Sequence, residues 1–299
     1  MTIFPTLKPG DTIGIMAPAS RTDRMRVDEA VKTLESMGYK VKVHAQTHLG
    51  FYSSAGQPAD KVKAFEDLWS DPDVKAIMAA RGGNESGEML PTLDYKKLGG
   101  TPKILIGYSD VTALLLAINK YADIVTFHGP VLNSLRSMDQ GHLTQCFRML
   151  SGHEKNIDIS GSQTLQFGTA QGRLIGGNLS ILCSLMGTPY QPDFKGALLF
   201  IEDIGDELSR INRFFLQLKL AGVFNQISGL IVGDFSKLTD EGSLKFERSV
   251  MDMLKHHTQG TSFPIVTEAP FGHQDALITL PVGAAAELTA AQTPTLRLV

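Results

Sequence analysis

The sequence predicts an α/β protein: a parallel sheet with helices on both faces, followed by a mixed region with more β structure. Three observations carry this reading. Through the first half, short apolar runs alternate with amphipathic stretches of helical period. Between about Gly152 and Gly172 the chain becomes polar and small in character. Beyond that break, strand-like runs grow more frequent toward the end. The 299 residues suggest two domains at roughly 100–200 residues each, and a hydrophobic content of 42% is enough for a core.

The first-half elements follow in order. Residues 12–17 (TIGIMA) read as a buried strand ending at Pro18-Ala19-Ser20. A helix then begins at Asp23 or Arg24, with Val27, Ala30, Val31, Leu34 and Met37 at the 3.6-residue period, and Gly38 suits its end. Tyr39, Val41 and Val43 alternate as the next strand, and Val62, Phe65, Leu68 and Trp69 mark a second helix. Strands over 74–79 and 103–108, a helix over 110–121 and a strand over 124–127 continue the rhythm. Helical crossovers imply parallel pairing, and such sheets bind ligands beyond the carboxyl ends of their strands.

The polar stretch His153-Glu154-Lys155-Asn156, the turn Gly161-Ser162-Gln163 and the small, polar run 167–172 read as a connection. We therefore place a first domain over 1–151, a linker over 152–171 and a second domain over 172–299. In the second domain a helix is expected over 179–186, a strand over 197–202, and a helix over 207–221 with Ile211, Phe214, Phe215 and Leu218 on one face. A strand over 229–233, a helix from 244 to about 256, and short strands around Ile265, Ile278 and Leu296 complete the prediction.

Composition excludes several classes. Lys and Arg total 28 against 31 Asp and Glu, a net charge of -3, which argues against a nucleic-acid binder. No apolar run approaches the roughly 18 residues that would read as a membrane-spanning helix, so no membrane partner is expected. The N-terminal residues lack the basic stretch and apolar core of a signal peptide, and the expected compartment is cytoplasmic. Only two cysteines occur, Cys146 and Cys183, without metal-ligand spacing, so neither a disulfide scaffold nor a zinc ribbon is expected.

Five places could carry chemistry. The apolar strand Ile104-Leu105-Ile106 runs into Gly107-Tyr108-Ser109-Asp110 and then directly into a helix. A serine on such a turn presents its hydroxyl above the sheet edge, beside N–H groups that can receive an oxyanion. The alternative is that Ser109 or Asp110 caps the helix, and the second glycine of a G-x-S-x-G elbow is missing. Glu202, in Phe200-Ile201-Glu202-Asp203, stands where a strand empties into a loop, although an acid there also suits the start of the next helix. His273 follows a glycine in the 269–275 turn, with His128 as its main rival because it too ends a strand. Two glycine turns, Arg81-Gly82-Gly83-Asn84 and Gly176-Gly177-Asn178, can bring backbone N–H groups to an anion or merely reverse the chain. Arg81 could clamp a substrate carboxylate.

Together these pieces resemble the LD-carboxypeptidases and microcin C self-immunity proteins, cytosolic serine peptidases with a Ser–Glu–His triad. The likeness runs from Leu7-Lys8-Pro9-Gly10-Asp11 and Ala17-Pro18 through Ala80-Arg81-Gly82-Gly83, Gly107-Tyr108-Ser109-Asp110 and Gly176-Gly177-Asn178-Leu179 to Phe200-Ile201-Glu202-Asp203 and Phe271-Gly272-His273. The resemblance implies a flavodoxin-like N-terminal sheet and a mixed C-terminal domain with the active site between them. It implies a triad of Ser109, Glu202 and His273, with the nucleophile in the first domain and the acid and base in the second. Gly83 and Asp110 would supply the oxyanion hole, and Arg81, Gly82 and Asn178 would bind substrate. No metal or other cofactor is implied. The expected substrate is a small peptide or muropeptide, and the expected assembly is a homodimer.

The implied reaction releases terminal D-alanine from a muropeptide tetrapeptide during peptidoglycan recycling. Cleavage of a peptide–nucleotide antibiotic conjugate, as in microcin immunity, is the alternative. The peptidoglycan-recycling members read Arg-Gly-Gly-Tyr-Gly, whereas this chain reads Arg81-Gly82-Gly83-Asn84-Glu85-Ser86, and its stretch 88–95 is closer to the immunity branch. A third reading is a non-catalytic sensor of muropeptides or other small ligands, because Glu85 could crowd an anion site.

Overall fold

The computed structural model describes residues 3–241, 244–274 and 277–299. They divide into two compact units, one of Met1–Lys155 with Leu277–Ala284 and one of Asn156–Ala276 with Ala285–Val299. In chain order the first unit contains β1 (Thr12–Met16), α1 (Arg24–Ser36), β2 (Lys40–Val43), α2 (Pro58–Ser70), β3 (Val74–Ala79), α3 (Tyr95–Gly100), β4 (Ile104–Gly107), α4 (Thr112–Ala122), β5 (Thr126–His128) and α5 (Gln140–Leu150). The second unit follows with β6 (Asn156–Ile157), β7 (Gln163–Gln166), β8 (Gly168–Asn178), α6 (Leu179–Leu185), β9 (Leu198–Ile204), α7 (Leu208–Leu220), β10 (Gly229–Ser236), α8 (Val250–His257) and β11 (Ile265–Thr267). The chain then returns to the first unit for β12 (Leu280–Val282) and ends in the second with β13 (Ala285–Ala290) and β14 (Thr295–Leu298).

Five parallel strands of the first unit lie in the order β2-β1-β3-β4-β5, the flavodoxin-like arrangement, with β12 added antiparallel beyond β5. The local chemistry explains the elements. Asp23 caps α1 by accepting from the Arg26 N–H at 3.0 Å, and Val27, Ala30 and Leu34 form its buried stripe. Pro58 opens α2, whose Phe65, Leu68 and Trp69 are buried. Asn119 of α4 donates from Nδ2 to the carbonyls of Ile124 at 2.9 Å and Val282 at 3.4 Å, fastening β12 to the sheet edge.

The second unit has one sheet ordered β6-β14-β13-β8-β9-β10-β11-β7. Its centre, β8-β9-β10-β11, is parallel and its flanks are antiparallel. The linker expected over 152–171 contains β6, β7 and the first residues of β8. These were invisible as strands because β6 and β7 lie at the two sheet edges and carry no buried apolar alternation. The first half of β8, which pairs with β13 alone, is mostly exposed, and only Leu174–Asn178, which pairs with β9, is buried. The expected second domain also loses residues 277–284 to the first unit, a long-range pairing that no local pattern records. The helix expected from 244 starts at Val250, where Ser249 accepts from the Asp252 N–H at 3.1 Å. Among the described residues no helix is long and apolar enough to cross a membrane.

Candidate active site

In the first unit, β4 ends at Gly107, and a single 3₁₀ turn over Ser109–Val111 leads into α4. Ser109 is half-buried with φ at +62°, a left-handed conformation that a non-glycine residue holds only when its surroundings impose it. A strained strand-to-helix turn of this kind can lift a nucleophile above a sheet. A Cβ on Gly107 would lie 2.9 Å from Val111 Cγ1, so the bend requires glycine there. Val111 occupies the place of the absent second glycine and packs into the room Gly107 leaves. No side chain caps α4, so neither Ser109 nor Asp110 serves as the helix cap that was the alternative.

Gly82 passes directly beside this serine. A Cβ on Gly82 would stand 3.2 Å from Ser109 Oγ, and the Gly82 carbonyl accepts from the Ser20 N–H at 3.2 Å. Asp110 is buried, and its Oδ2 accepts from the backbone N–H groups of Glu85 at 3.1 Å and Ser86 at 2.8 Å. The Ser86 hydroxyl in turn donates to the Asp110 carbonyl at 2.6 Å. Burial pushes the Asp110 carboxyl above the usual carboxylate range, opposed by these donors.

Glu85, which could have crowded an anion site, is held by other groups. Its carboxylate receives Lys61 Nζ at 3.2 Å and the Ser53 hydroxyl at 3.4 Å, and Lys61 is wholly buried. The Ser54 hydroxyl first, and then Lys61, hold the Glu85 carboxyl below its ordinary value against a desolvation effect. Arg81 is exposed, its Nη1 3.4 Å from the Arg21 carbonyl.

In the second unit, Glu202 lies within β9 rather than at its end, and is fully buried. Its Oε2 is 2.7 Å from His273 Nδ1. An ionised carboxylate can only accept, so Nδ1–H is the donor of this bond, and in the neutral imidazole of that tautomer the lone pair lies on Nε2. The loop bearing His273 rides on β10, where the Ala269 N–H donates to Val232 O at 3.0 Å and the Asp234 N–H to Phe271 O at 2.8 Å. Gly272, at φ +125°, lets the loop descend. A Cβ there would meet Asp234 Cβ at 2.9 Å and Glu202 Cβ at 3.3 Å. Asp275, the end of the turn motif, lies outside the described residues. The rival base, His128, is fully buried in β5 between β4 and β12, with the Tyr108 ring edge-on at 6.2 Å.

Asn178, expected to bind substrate, has both ends of its amide engaged within the fold. Oδ1 accepts from the Ile181 N–H at 3.2 Å and the Ser180 hydroxyl at 2.7 Å, capping α6, while Nδ2 donates to Asp203 Oδ1 at 3.1 Å. The buried Asp203 also accepts from the N–H groups of Ser180 and Ile204, each at 2.8 Å. Burial, with Glu202 beside it, pushes the Asp203 carboxyl up to about 6 despite these donors. Sequence reasoning missed Lys61 and the Asp110 carboxylate. Lys61 had a signal, since it precedes the apolar Phe65 and Leu68 by four and seven residues and so falls on the buried stripe of α2.

Comparison with known proteins gives concordant matches in both halves. Residues 13–129 match the LD-carboxypeptidase N-terminal domain, and residues 171–288 match the LD-carboxypeptidase C-terminal domain. The chain is 35% identical over 294 residues to a probable murein peptide carboxypeptidase of Bacillus subtilis, covering 96% of this chain and 91% of that one. The structure of MccF, a microcin C7 self-immunity protein, in complex with glutamyl sulfamoyl guanosine superposes with a TM-score of 0.92 at 25% identity, covering 100% of this chain and 99% of the other. A muramoyltetrapeptide carboxypeptidase from Oxalobacter formigenes superposes at 0.86 with 29% identity, covering 96% and 98%.

Proposed function

The chain belongs to the LD-carboxypeptidase family, and from that premise we propose that it is a serine peptidase releasing terminal D-alanine from muropeptide tetrapeptides. The observation that carries the reading is the pairing of the buried Glu202 with His273 at 2.7 Å, which holds the imidazole against a carboxylate through Nδ1. Ser109, on its strained turn, is the partner the pair requires.

In this mechanism His273 Nε2 takes the Ser109 proton as Oγ attacks the scissile carbonyl. The N–H groups of Gly83 and Asp110 receive the oxyanion. Collapse of the tetrahedral intermediate breaks the C–N bond, His273 returns the proton to the departing D-alanine amine, and water then hydrolyses the acyl-enzyme by the same relay. Glu202 stabilises the imidazolium. The exposed Arg81 guanidinium is the group we assign to the substrate carboxylate. The test is D-alanine release from a muropeptide tetrapeptide by wild type and Ser109→Ala. Turnover should fall by about 10³-fold or more, because triad members act as a unit. Equal release by the two proteins would end the proposal.

The likeness to MccF supports a second reading, cleavage of a peptide–nucleotide conjugate at an amide or carboxamide-type bond. Competition between the two substrate classes separates the readings. The pairing of Glu85 with Lys61 weighs against Glu85 crowding an anion site, and covalent labelling of Ser109 by a fluorophosphonate separates the sensor reading from the enzyme readings.

A further inference from the structure

The nucleophile turn is held from two sides by side chains that do not themselves touch a reacting atom. Asp110, next in sequence to Ser109, accepts the backbone N–H groups of both Glu85 and Ser86 on one carboxylate oxygen. Glu85 then reaches away from Ser109 to Lys61, which is wholly buried on α2. A buried ammonium must have its anion close by, so Lys61 fixes where the Glu85 carboxylate stands. Only one residue separates Glu85 from Gly83, and Gly82 runs so close to Ser109 that even a Cβ would press on its hydroxyl at 3.2 Å. Displacing Glu85 therefore moves the Gly82–Gly83 backbone relative to Ser109.

We propose that Lys61, Glu85 and Asp110 are positioning residues that hold the Gly82–Gly83 backbone against Ser109, presetting the donors that receive the oxyanion. The inference rests on Ser109 being the nucleophile, as argued above. It assigns Glu85, which replaces a glycine of the recycling members' motif, the task of anchoring the loop to α2.

The test uses a fluorophosphonate, whose phosphoryl oxygen enters the oxyanion position as Ser109 Oγ displaces fluoride. Labelling is located by mass spectrometry. The variants are Glu85→Gln, Lys61→Met and the pair combined. The combined variant removes both charges, so it leaves no unpaired buried cation to unfold the protein. Its unfolding midpoint should stay near that of wild type, while its maximal inactivation rate falls about 10-fold or more and its half-saturating reagent concentration changes less than twofold. Displacements of the order of 1 Å cost about 10²-fold, which sets the scale. Each single variant should be slowed as well, and the combined loss should be smaller than the product of the two, because they break one contact. Wild-type rates in the combined variant, or losses that multiply independently, overturn the inference alone. A wild type that takes no label at Ser109 overturns the nucleophile assignment and the inference with it.

Discussion

Asp203 offers a test of the second unit that needs no substrate. Its carboxyl is pushed by burial, and then by the adjacent Glu202, from 3.8 up to about 6, against the donors Ile204 N–H, Asn178 Nδ2 and Ser180 N–H. At roughly 1.4 kcal/mol per pH unit, that rise corresponds to about 3 kcal/mol. The sign follows from proton counting. Between about pH 4 and 6 the native state keeps a proton that the unfolded chain has released, so stability falls as pH rises through that window and is fully present below it. Asp203→Asn removes the dependence. It adds a constant cost of about 1–3 kcal/mol, because the new amide faces the Ser180 N–H, donor against donor. The wild-type advantage over the variant should therefore grow by about 2–3 kcal/mol between pH 7 and pH 4. Urea unfolding followed by far-UV circular dichroism measures it. Tryptophan emission does not, because the sole tryptophan, Trp69, lies in α2 of the first unit. An advantage that stays constant from pH 4 to 7 would refute the burial argument.

Three further outcomes are expected. Glu202→Gln should fold normally by circular dichroism yet lose about 10³–10⁴-fold in turnover on a muropeptide tetrapeptide, because a neutral amide neither fixes the imidazole tautomer nor stabilises its protonated form. Gly82→Ala should slow fluorophosphonate labelling of Ser109 by about 10-fold or more, since its methyl would sit 3.1 Å from Ser109 Cβ. Asn119→Ala should destabilise the first unit by about 1–3 kcal/mol, read from Trp69 emission in urea, because the Ile124 and Val282 carbonyls lose their donor.

The parallel sheet of the first unit was legible because its strands are buried on both faces and read as short apolar runs. The strand expected over 74–79 is β3 with the same bounds, and Asp23 at the foot of α1 carries its own capping chemistry. The edge strands left no such trace, because β6 is only Asn156 and Ile157, and β7 (Gln163–Gln166) has no buried residue to alternate with its exposed ones. The return of 277–284 to β5 depends on Asn119, more than 150 residues earlier, and so escapes any local window. At the site, the residue types were readable, and so was the placement of Ser109 and His273 after strands, whereas Glu202 lies inside β9. The contacts of Asp110 and Lys61, and the bond from Asn178 to Asp203, were not, since those partners lie more than 20 residues away.

The two units share one construction around the proposed triad residues Ser109 and Glu202: an aspartate follows each. Ser109 is followed by Asp110, and Glu202 by Asp203. Both aspartates are buried, both are pushed up by that burial, and both accept backbone N–H groups from a neighbouring segment: Glu85 and Ser86 in one unit, Ser180 in the other. An asparagine could not replace Asp203 without loss, because both of its carboxylate oxygens accept; at Asp110 the two N–H groups converge on a single oxygen, which an amide oxygen could also receive, so there the carboxylate adds its charge. A carboxylate gives two acceptor oxygens with no donor to misplace, and its charge strengthens each bond in a dry environment. The desolvation cost is thus offset by fixing a second segment of backbone one residue from the chemistry, where a shift of a few tenths of an ångström would be felt.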